Sequence, residues 1–168
     1  MQIHLKQLFL EEGKVVPVEG IVPNSEETLW PGHPIGSPIA ISGKAANRAG
    51  IVTLDYTASF AFVSQCDRCC APVRRQMSCR FSHLLVEELS NQGDEEGYLV
   101  LSDGVLNMDE LAAEDISLEL PTKVLCQDGC KGLCPKCGKN LNEEDCGCSA
   151  EEVDPRFEKL RRLLKGEG

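Results

Sequence analysis

The chain is 168 residues long, which is enough for one domain or for one domain with a small appendage. Hydrophobic residues make up 42% of it and charged residues 26%, a composition that excludes an intrinsically disordered chain. The formal net charge of −10 excludes a basic protein that coats nucleic acids generally. No apolar run reaches the ~18 residues of a membrane-spanning helix, so we expect no membrane partner.

The N-terminus predicts a cytoplasmic protein. Residues 1–8 lack a charged region followed by a continuous apolar stretch, so they do not form a secretory signal peptide. In the reducing cytosol, the ten cysteines are expected to be metal ligands or redox thiols rather than disulfides.

Period-2 alternation of apolar and polar residues predicts a β-rich chain. The alternation is clearest over residues 51–63, and a turn at 47–50 joins that strand to its predecessor. Residues 23–38 contain four prolines and are predicted to form a loop. The predicted strands, in chain order, are 3–5, 15–22, 39–46, 51–63, 73–86 and 98–101.

The inward faces of the two longest strands supply the candidate core, and basic residues lie on the outward face of the second. Arg74 and Arg80 share that outward face. The residues predicted to face inward are Val52, Leu54, Tyr56, Ala58, Phe60, Phe62, Val73, Met77, Cys79, Phe81 and Leu85.

Two helices are predicted from their end signals. The first covers 108–120, with Asn107 as N-cap, Glu110 three residues later and Pro121 as the stop. The second covers 154–165, with an aspartate cap followed by a proline in the first turn.

Six cysteines lie within 23 residues of the C-terminal part: Cys126, Cys130, Cys134, Cys137, Cys146 and Cys148. The segment Cys134-Pro135-Lys136-Cys137-Gly138 is typical of a zinc knuckle, in which backbone N–H groups of a tight turn donate to the sulfurs. Free structural cysteines are the alternative, but they are not normally clustered with glycine, lysine and aspartate.

A further Cys-x-x-Cys pair, Cys66 and Cys69, lies in the predicted turn between strands 51–63 and 73–86. A thioredoxin-like redox pair is the competing interpretation, but that pair is expected at a helix N-terminus. We therefore predict two structural zinc ions in tetrahedral sites. Site 1 comprises Cys66, Cys69, Cys126 and Cys130, and site 2 comprises Cys134, Cys137, Cys146 and Cys148.

The remaining candidate ligands are assigned other roles. Cys79 is expected in the core, and Cys70 adjoins Cys69 without being needed as a ligand. The three histidines, His4, His33 and His83, share no ligand spacing and are expected to be solvated or packed.

Charge along the chain is strongly segregated. Residues 87–96 and 103–119 carry acidic residues and no basic ones, whereas basic residues concentrate in 65–83, 123–139 and 156–165. If the basic stretches converge on one face, they form an RNA-binding surface; otherwise they are ordinary solubilising charges. The RNA-binding candidates are Arg68, Arg74, Arg80, Lys131, Lys136 and Lys139.

These motifs together resemble the YceD family, also called large ribosomal RNA subunit accumulation protein. The resemblance is specific over 120–164, where Leu120-Pro121 leads into the cysteines, the run from Lys131 to Asn142 follows, and Asp154-Pro155-Arg156-Phe157 ends it. It is weaker around Cys66-Asp67-Arg68-Cys69 and general over the first 60 residues. It implies a bacterial or plastid protein needed for 23S ribosomal RNA accumulation.

The expected fold class is α+β: a bent antiparallel sheet with one or two covering helices and a C-terminal zinc-binding segment. Residues 1–121 would form a β-rich domain carrying helix 108–120. Residues 122–168 would form the zinc-binding segment and C-terminal helix, docked on that domain.

The leading functional hypothesis is a non-enzymatic ribosome-biogenesis factor that binds 23S ribosomal RNA or the pre-50S particle. The alternative is an acidic adaptor that uses Glu87, Glu88, Glu95 and Glu96 to bind a basic ribosomal protein or a processing enzyme. A thiol redox protein or a hydrolase is the third hypothesis, but the sequence contains no nucleophile elbow and no glycine-rich phosphate loop. No small-molecule substrate is expected.

Overall fold

The computed structural model describes residues 1–88, 97–101 and 103–148. In chain order its elements are β1 (Gln2–His4), α1 (Lys6–Leu10), β2 (Val15–Val22), β3 (Ile39–Arg48), β4 (Ile51–Gln65), β5 (Pro72–Val86), β6 (Tyr98–Val100), β7 (Val105–Asn107) and α2 (Met108–Glu119). The α+β class and the bent sheet are confirmed.

Strands β2 to β6 form one sheet in their sequence order, and β1 pairs with β7 in a separate two-stranded sheet. Neighbouring strands of the large sheet are antiparallel except at one edge, where β6 runs parallel to β5. The predicted bent antiparallel sheet is therefore confirmed, with one parallel pair at that edge. Residues 87–97 connect the two strands, whereas a two-residue hairpin turn would make them antiparallel.

The β4–β5 hairpin is the centre of the fold, and each of its strands is fifteen residues long. The six predicted inward residues of β4, from Val52 to Phe62, are all buried. On β5, Val73 and Leu85 are buried and the other three predicted core residues are half-buried. The alternation therefore predicted the core face of both strands, because one side of the sheet packs against the rest of the chain and the other meets solvent.

Helix α2 covers the inward face, as its sequence predicts. The Asn107 side chain accepts a hydrogen bond from the backbone N–H of Asp109 at 3.2 Å, which caps the helix. Leu111, Ala112 and Ile116 are buried against the core, whereas Leu120 is half-buried beyond the helix end.

The structure contains two short elements, α1 and β7, that the sequence did not predict, and a third, β1, whose bounds differ from the prediction. Each spans three to five residues, too few for a period to be recognised. The predicted strand 3–5 corresponds to β1 shifted by one residue, and strands 15–22 and 98–101 correspond to β2 and β6.

Some predictions lie outside the described residues, including helix 154–165 and the acidic residues Glu95 and Glu96. The division into domains at residues 121 and 122 stays a prediction. In the part of the chain that the structure describes, neither helix has the length and apolar character needed to cross a membrane.

Candidate metal centres

The cysteines of site 1 come from two distant parts of the chain. Cys66 and Cys69 flank the turn between β4 and β5, and Cys126 and Cys130 lie in the segment that follows α2. Their four sulfur atoms lie within 4.8 Å of one another. Three of the four cysteines are buried, and they form a small apolar cluster with Val73.

The sulfur separations in site 1 suit a tetrahedral metal. The Sγ atoms of Cys66 and Cys130 are 3.7 Å apart, and those of Cys69 and Cys126 are 3.6 Å apart. A tetrahedron with zinc–sulfur bonds of ~2.3 Å has edges of about 3.8 Å, whereas a disulfide bond is ~2.0 Å long. The donor set and its spacing therefore fit a Cys₄ zinc site.

Hydrogen bonds around site 1 favour thiolates at two of its four positions. Burial opposes ionisation of Cys66, but backbone N–H groups, led by that of Arg68, donate to its sulfur and lower its pKa to about 6. Burial likewise opposes ionisation of Cys130, whose pKa is lowered by the side-chain amide of Asn142 and by the backbone N–H of Gly132. The hydrogen bond with Cys69 raises the pKa of Cys126 to about 12.

Site 2 is formed locally and is more open to solvent. The four sulfurs of Cys134, Cys137, Cys146 and Cys148 also lie within 4.8 Å of one another, but only Cys134 is buried. Backbone N–H groups of Cys137 and Lys136 donate to the Cys134 sulfur and lower its pKa to about 6. This is the arrangement that a zinc knuckle provides.

The structure thus brings together the four cysteines of each predicted group; that they bind zinc stays a prediction. Cys70 and Cys79 belong to neither group. The histidines also lie elsewhere: the His33 Nδ1 accepts from the N–H of Ile35, and His83 faces Asp115.

Asp67 and Arg75 hold the segment after α2 against the hairpin, a role that the sequence analysis did not assign. The Asp67 backbone N–H donates to the Val124 carbonyl at 2.8 Å, and its carboxylate accepts from the Val124 N–H at 2.6 Å. The Arg75 guanidinium donates to the Leu125 carbonyl. The only sequence signal for Asp67 was its position inside the Cys-x-x-Cys turn.

Arg68 is also engaged in this junction. Its guanidinium donates to the Cys130 carbonyl at 2.7 Å, and its own carbonyl accepts from the N–H of Leu133 at 3.1 Å. Gly132 has a φ of +80°, and a Cβ atom there would lie 3.1 Å from the Arg68 carbonyl, so a glycine allows the close approach. Arg68 therefore joins the hairpin to the cysteine segment, whatever its part in RNA binding.

The other RNA-binding candidates lie on strand β5 and around the knuckle of site 2. Arg74 and Arg80 are exposed on the outward face of β5. Lys131, Lys136 and Lys139 are exposed around the knuckle of site 2, where Lys139 forms an ion pair with Glu144 at 3.0 Å.

The outward face of the sheet is polar and shallow. Register places Arg80 beside Thr57, which lies beside Ser42, and the next row contains Ser82, Asp55 and Lys44. These two rows line a groove of about 470 Å³. The Asp55 carboxylate accepts a hydrogen bond from the Ser82 hydroxyl at 2.7 Å, so this acid is already partnered within the face.

Comparison with known proteins matches residues 54–164 to the profile described as "Large ribosomal RNA subunit accumulation protein YceD". An uncharacterized protein of Mycobacterium tuberculosis is 32% identical over 118 residues, which cover 67% of this chain and 56% of the relative. The uncharacterized protein YlbN of Bacillus subtilis is 26% identical over 133 residues, covering 77% of this chain and 76% of the relative.

A chloroplast relative from Arabidopsis thaliana is described as large ribosomal RNA subunit accumulation protein YCED homolog 1. It is 28% identical over 160 residues, covering 78% of this chain and 50% of the relative. The chain therefore spans little more than half the length of several curated relatives that it matches. No solved structure matches it.

Proposed function

The chain belongs to the YceD family, and we propose that it is a non-enzymatic, cytoplasmic ribosome-biogenesis factor that supports 23S ribosomal RNA accumulation and large-subunit assembly. The observation that carries this proposal is the family match over residues 54–164, a range that includes both cysteine groups. The Arabidopsis relative, whose description names large ribosomal RNA subunit accumulation, supports the same role.

In this proposal each cysteine group binds one structural zinc ion. Four sulfur ligands complete a tetrahedral shell and leave no position for a reacting water, so the metal supplies folding free energy rather than chemistry. Zinc in site 1 would tie the segment after α2 to the β4–β5 turn. Zinc in site 2 would fix the knuckle that carries Lys136 and Lys139.

RNA binding is proposed for the outward face of β5. Arg74 and Arg80 extend from this face, and their neighbours in the sheet include the small hydroxyl residues Thr57 and Ser78. Arginine side chains and hydroxyl groups are common partners of phosphate and sugar oxygens. Such contacts give electrostatic binding of low sequence specificity, which falls steeply as salt rises.

The test is to change Arg74 and Arg80 together to alanine and to measure binding of 23S ribosomal RNA fragments against salt concentration. We expect weaker binding and a slope of log affinity against log salt that is shallower by about two units, about one for each lost phosphate contact. Arg68 is left intact because it contacts the Cys130 carbonyl.

A variant with Lys6→Ala and Lys14→Ala is the matched control. It removes the same charge from α1 and the turn that follows, and its salt slope is expected to equal that of the wild type. An unchanged slope in the arginine variant, with folding and metal content intact, would remove RNA binding through this face.

One observation favours the adaptor as a second candidate function. A groove of about 310 Å³ beside α2 is lined by apolar residues, among them Leu99 and Val105, and by the exposed carboxylates of Glu110 and Glu114. A basic ribosomal protein would complement these charges. In that case Glu110→Gln with Glu114→Gln would reduce co-purification of free ribosomal protein, whereas the arginine variant would not.

A non-enzymatic role is preferred over a thiol redox role because of where the Cys66-x-x-Cys69 pair lies. It joins two antiparallel strands and faces two further cysteines, whereas a redox pair is expected at the start of a helix. We expect the reduced protein not to accelerate the reduction of a model disulfide by dithiothreitol, whereas a redox pair would do so.

A further inference from the structure

Asn142 belongs to the loop of site 2 but contacts a ligand of site 1. In sequence it lies between Cys137 and Cys146, and its side-chain amide donates to the Cys130 sulfur at 3.3 Å. The side chain is half-buried between the two cysteine groups. Through this side chain, the loop of site 2 contacts a sulfur atom of site 1.

The hydrogen bonds of Asn142 fix which way its amide points. The Nδ2 group has two hydrogens, and its second partner is the Asn140 side-chain oxygen at 2.8 Å. The Oδ1 atom accepts from the Lys131 backbone N–H at 2.8 Å and from the Gln127 side chain at 3.3 Å. A flipped amide would set a donor against the Lys131 N–H and an acceptor against the Cys130 sulfur, so the observed orientation is the one that satisfies every group.

The position of Asn142 depends on the turn that site 2 closes. The backbone N–H of Leu141 donates to the Gly132 carbonyl at 2.9 Å, and that of Cys134 donates to the Lys139 carbonyl at 2.8 Å. A metal held by all four cysteines of site 2 would tie both ends of residues 138–145. The conformational freedom of this loop, and hence of Asn142, would fall accordingly.

We infer that Asn142 couples the two metal sites, so that loading of site 2 raises the metal affinity of site 1 by holding an N–H donor against the Cys130 sulfur. Hydrogen bonds to coordinating atoms stabilise and orient them, and their loss typically lowers metal affinity by about 10- to 100-fold. This inference rests on the proposed zinc binding. Asn142 is a positioning residue because it does not itself ligate the metal.

The test compares the metal affinity of site 1 in full-length wild type, Cys134→Ser, Asn142→Asp and the double variant. Metal-free, reduced protein is titrated with Zn²⁺ in competition with a chelator. Protection of Cys66 and Cys69 from thiol alkylation reports site 1, and protection of Cys137 and Cys146 reports site 2. Asn142→Asp keeps the size of the side chain but replaces the donating amide with a carboxylate.

We expect Cys134→Ser and Asn142→Asp each to weaken site 1 by about tenfold or more. In the double variant site 1 should be no weaker than in Cys134→Ser, because both changes interrupt the same coupling. Asn24→Asp adds the same charge in the loop before β3 and should leave both sites unchanged. Should Asn142→Asp not fold, Asn142→Ser, which lacks the amide without adding charge, takes its place.

Unchanged site 1 affinity in Cys134→Ser, with two zinc ions bound to the wild type, would overturn the coupling and leave the zinc proposal standing. So would additive losses in the double variant. A wild-type protein that binds no zinc would instead overturn the proposed metal sites, and the coupling with them.

Discussion

At the scale of single residues, Asn47 links the N-terminal helix to the central sheet. Its side chain is 2% exposed, and its amide donates to the Leu8 carbonyl at 2.8 Å. Its oxygen accepts from the Gly50 N–H at 3.1 Å, in the turn where Ala49 and Gly50 both have positive φ. One side chain therefore satisfies both a carbonyl near the end of α1 and the β3–β4 turn.

Replacing Asn47 with alanine should destabilise the protein by about 2 kcal/mol, because the Leu8 carbonyl would be left buried without this partner. Urea unfolding of the zinc-loaded protein measures the change. Asn24→Ala, in the loop before β3, is the control and should stay within about 0.5 kcal/mol of wild type. If Asn47→Ala lowered the free energy of unfolding by no more than about 0.5 kcal/mol, water would be shown to hydrogen-bond to the Leu8 carbonyl in the variant.

At the scale of secondary-structure elements, a polar contact fastens α2 to the β4–β5 hairpin. Asp115 of α2 accepts a hydrogen bond from the Tyr56 hydroxyl and lies 2.7 Å from the His83 Nε2. Tyr56 is buried and the Asp115 and His83 side chains are largely covered, so the contact lies under the helix rather than on its rim. It supplements the apolar packing of Leu111 and Ile116.

Burial, followed by the hydrogen bond with Asp115 and the charge of that carboxylate, raises the pKa of Tyr56 far above its ordinary value of 10.0. The folded state thus keeps the phenol proton in a pH range where the unfolded chain releases it. The stabilisation is present in full below pH 10 and declines as the pH rises further.

We expect Tyr56→Phe to lower the free energy of unfolding by about 1.5–3 kcal/mol at neutral pH, the range for a hydrogen bond to a charged group. The variant should also lose less stability than wild type between pH 10 and 11. Urea unfolding at each pH measures both effects. Tyr98→Phe, at the second tyrosine, which is exposed, is the control. If Tyr56→Phe lost as much stability as wild type between pH 10 and 11, Tyr56 would not be the group responsible for the alkaline loss of stability.

At the scale of the whole molecule, the cysteine segment is attached to the sheet through a small second cluster. The main core lies between the sheet and α2, whereas Cys66, Cys69, Val73 and Cys130 form a separate group at the end of the hairpin. Val124 packs against both clusters. A few apolar residues and the hydrogen bonds of Asp67, Arg68 and Arg75 join the segment to the sheet, and metal in site 1 would add to this attachment.

Zinc analysis of two serine variants tests that dependence. Cys66→Ser and Cys134→Ser should each lose about one of two zinc equivalents, because one missing ligand opens a Cys₄ shell. Cys66→Ser should also release residues 122–148 from the sheet, seen as faster amide exchange there, whereas Cys134→Ser should affect mainly 131–148. Full zinc content in Cys66→Ser would exclude site 1 as a metal site.

The sequence alone determined the long strands, helix α2 and the grouping of the cysteines. Strands of fifteen residues repeat their alternation often enough to identify both faces, and α2 has a cap and a proline stop. The cysteines of site 2 could be grouped because Cys134, Cys137, Cys146 and Cys148 are close in the chain. The two remaining Cys pairs, which are distant from each other in sequence, were then assigned to site 1.

Only the tertiary structure decided the direction of β6, the short elements and the polar contacts around the cysteines. Three-residue strands such as β1 and β6 form because a partner strand is already in place, and their own residues carry too few repeats to predict pairing or direction. The side chains of Asn47 and Arg68 donate to backbone carbonyls that are distant in sequence. The side chain of Asn142 donates to a sulfur of the other cysteine group. Such contacts depend on three-dimensional proximity, which residue type and spacing do not encode.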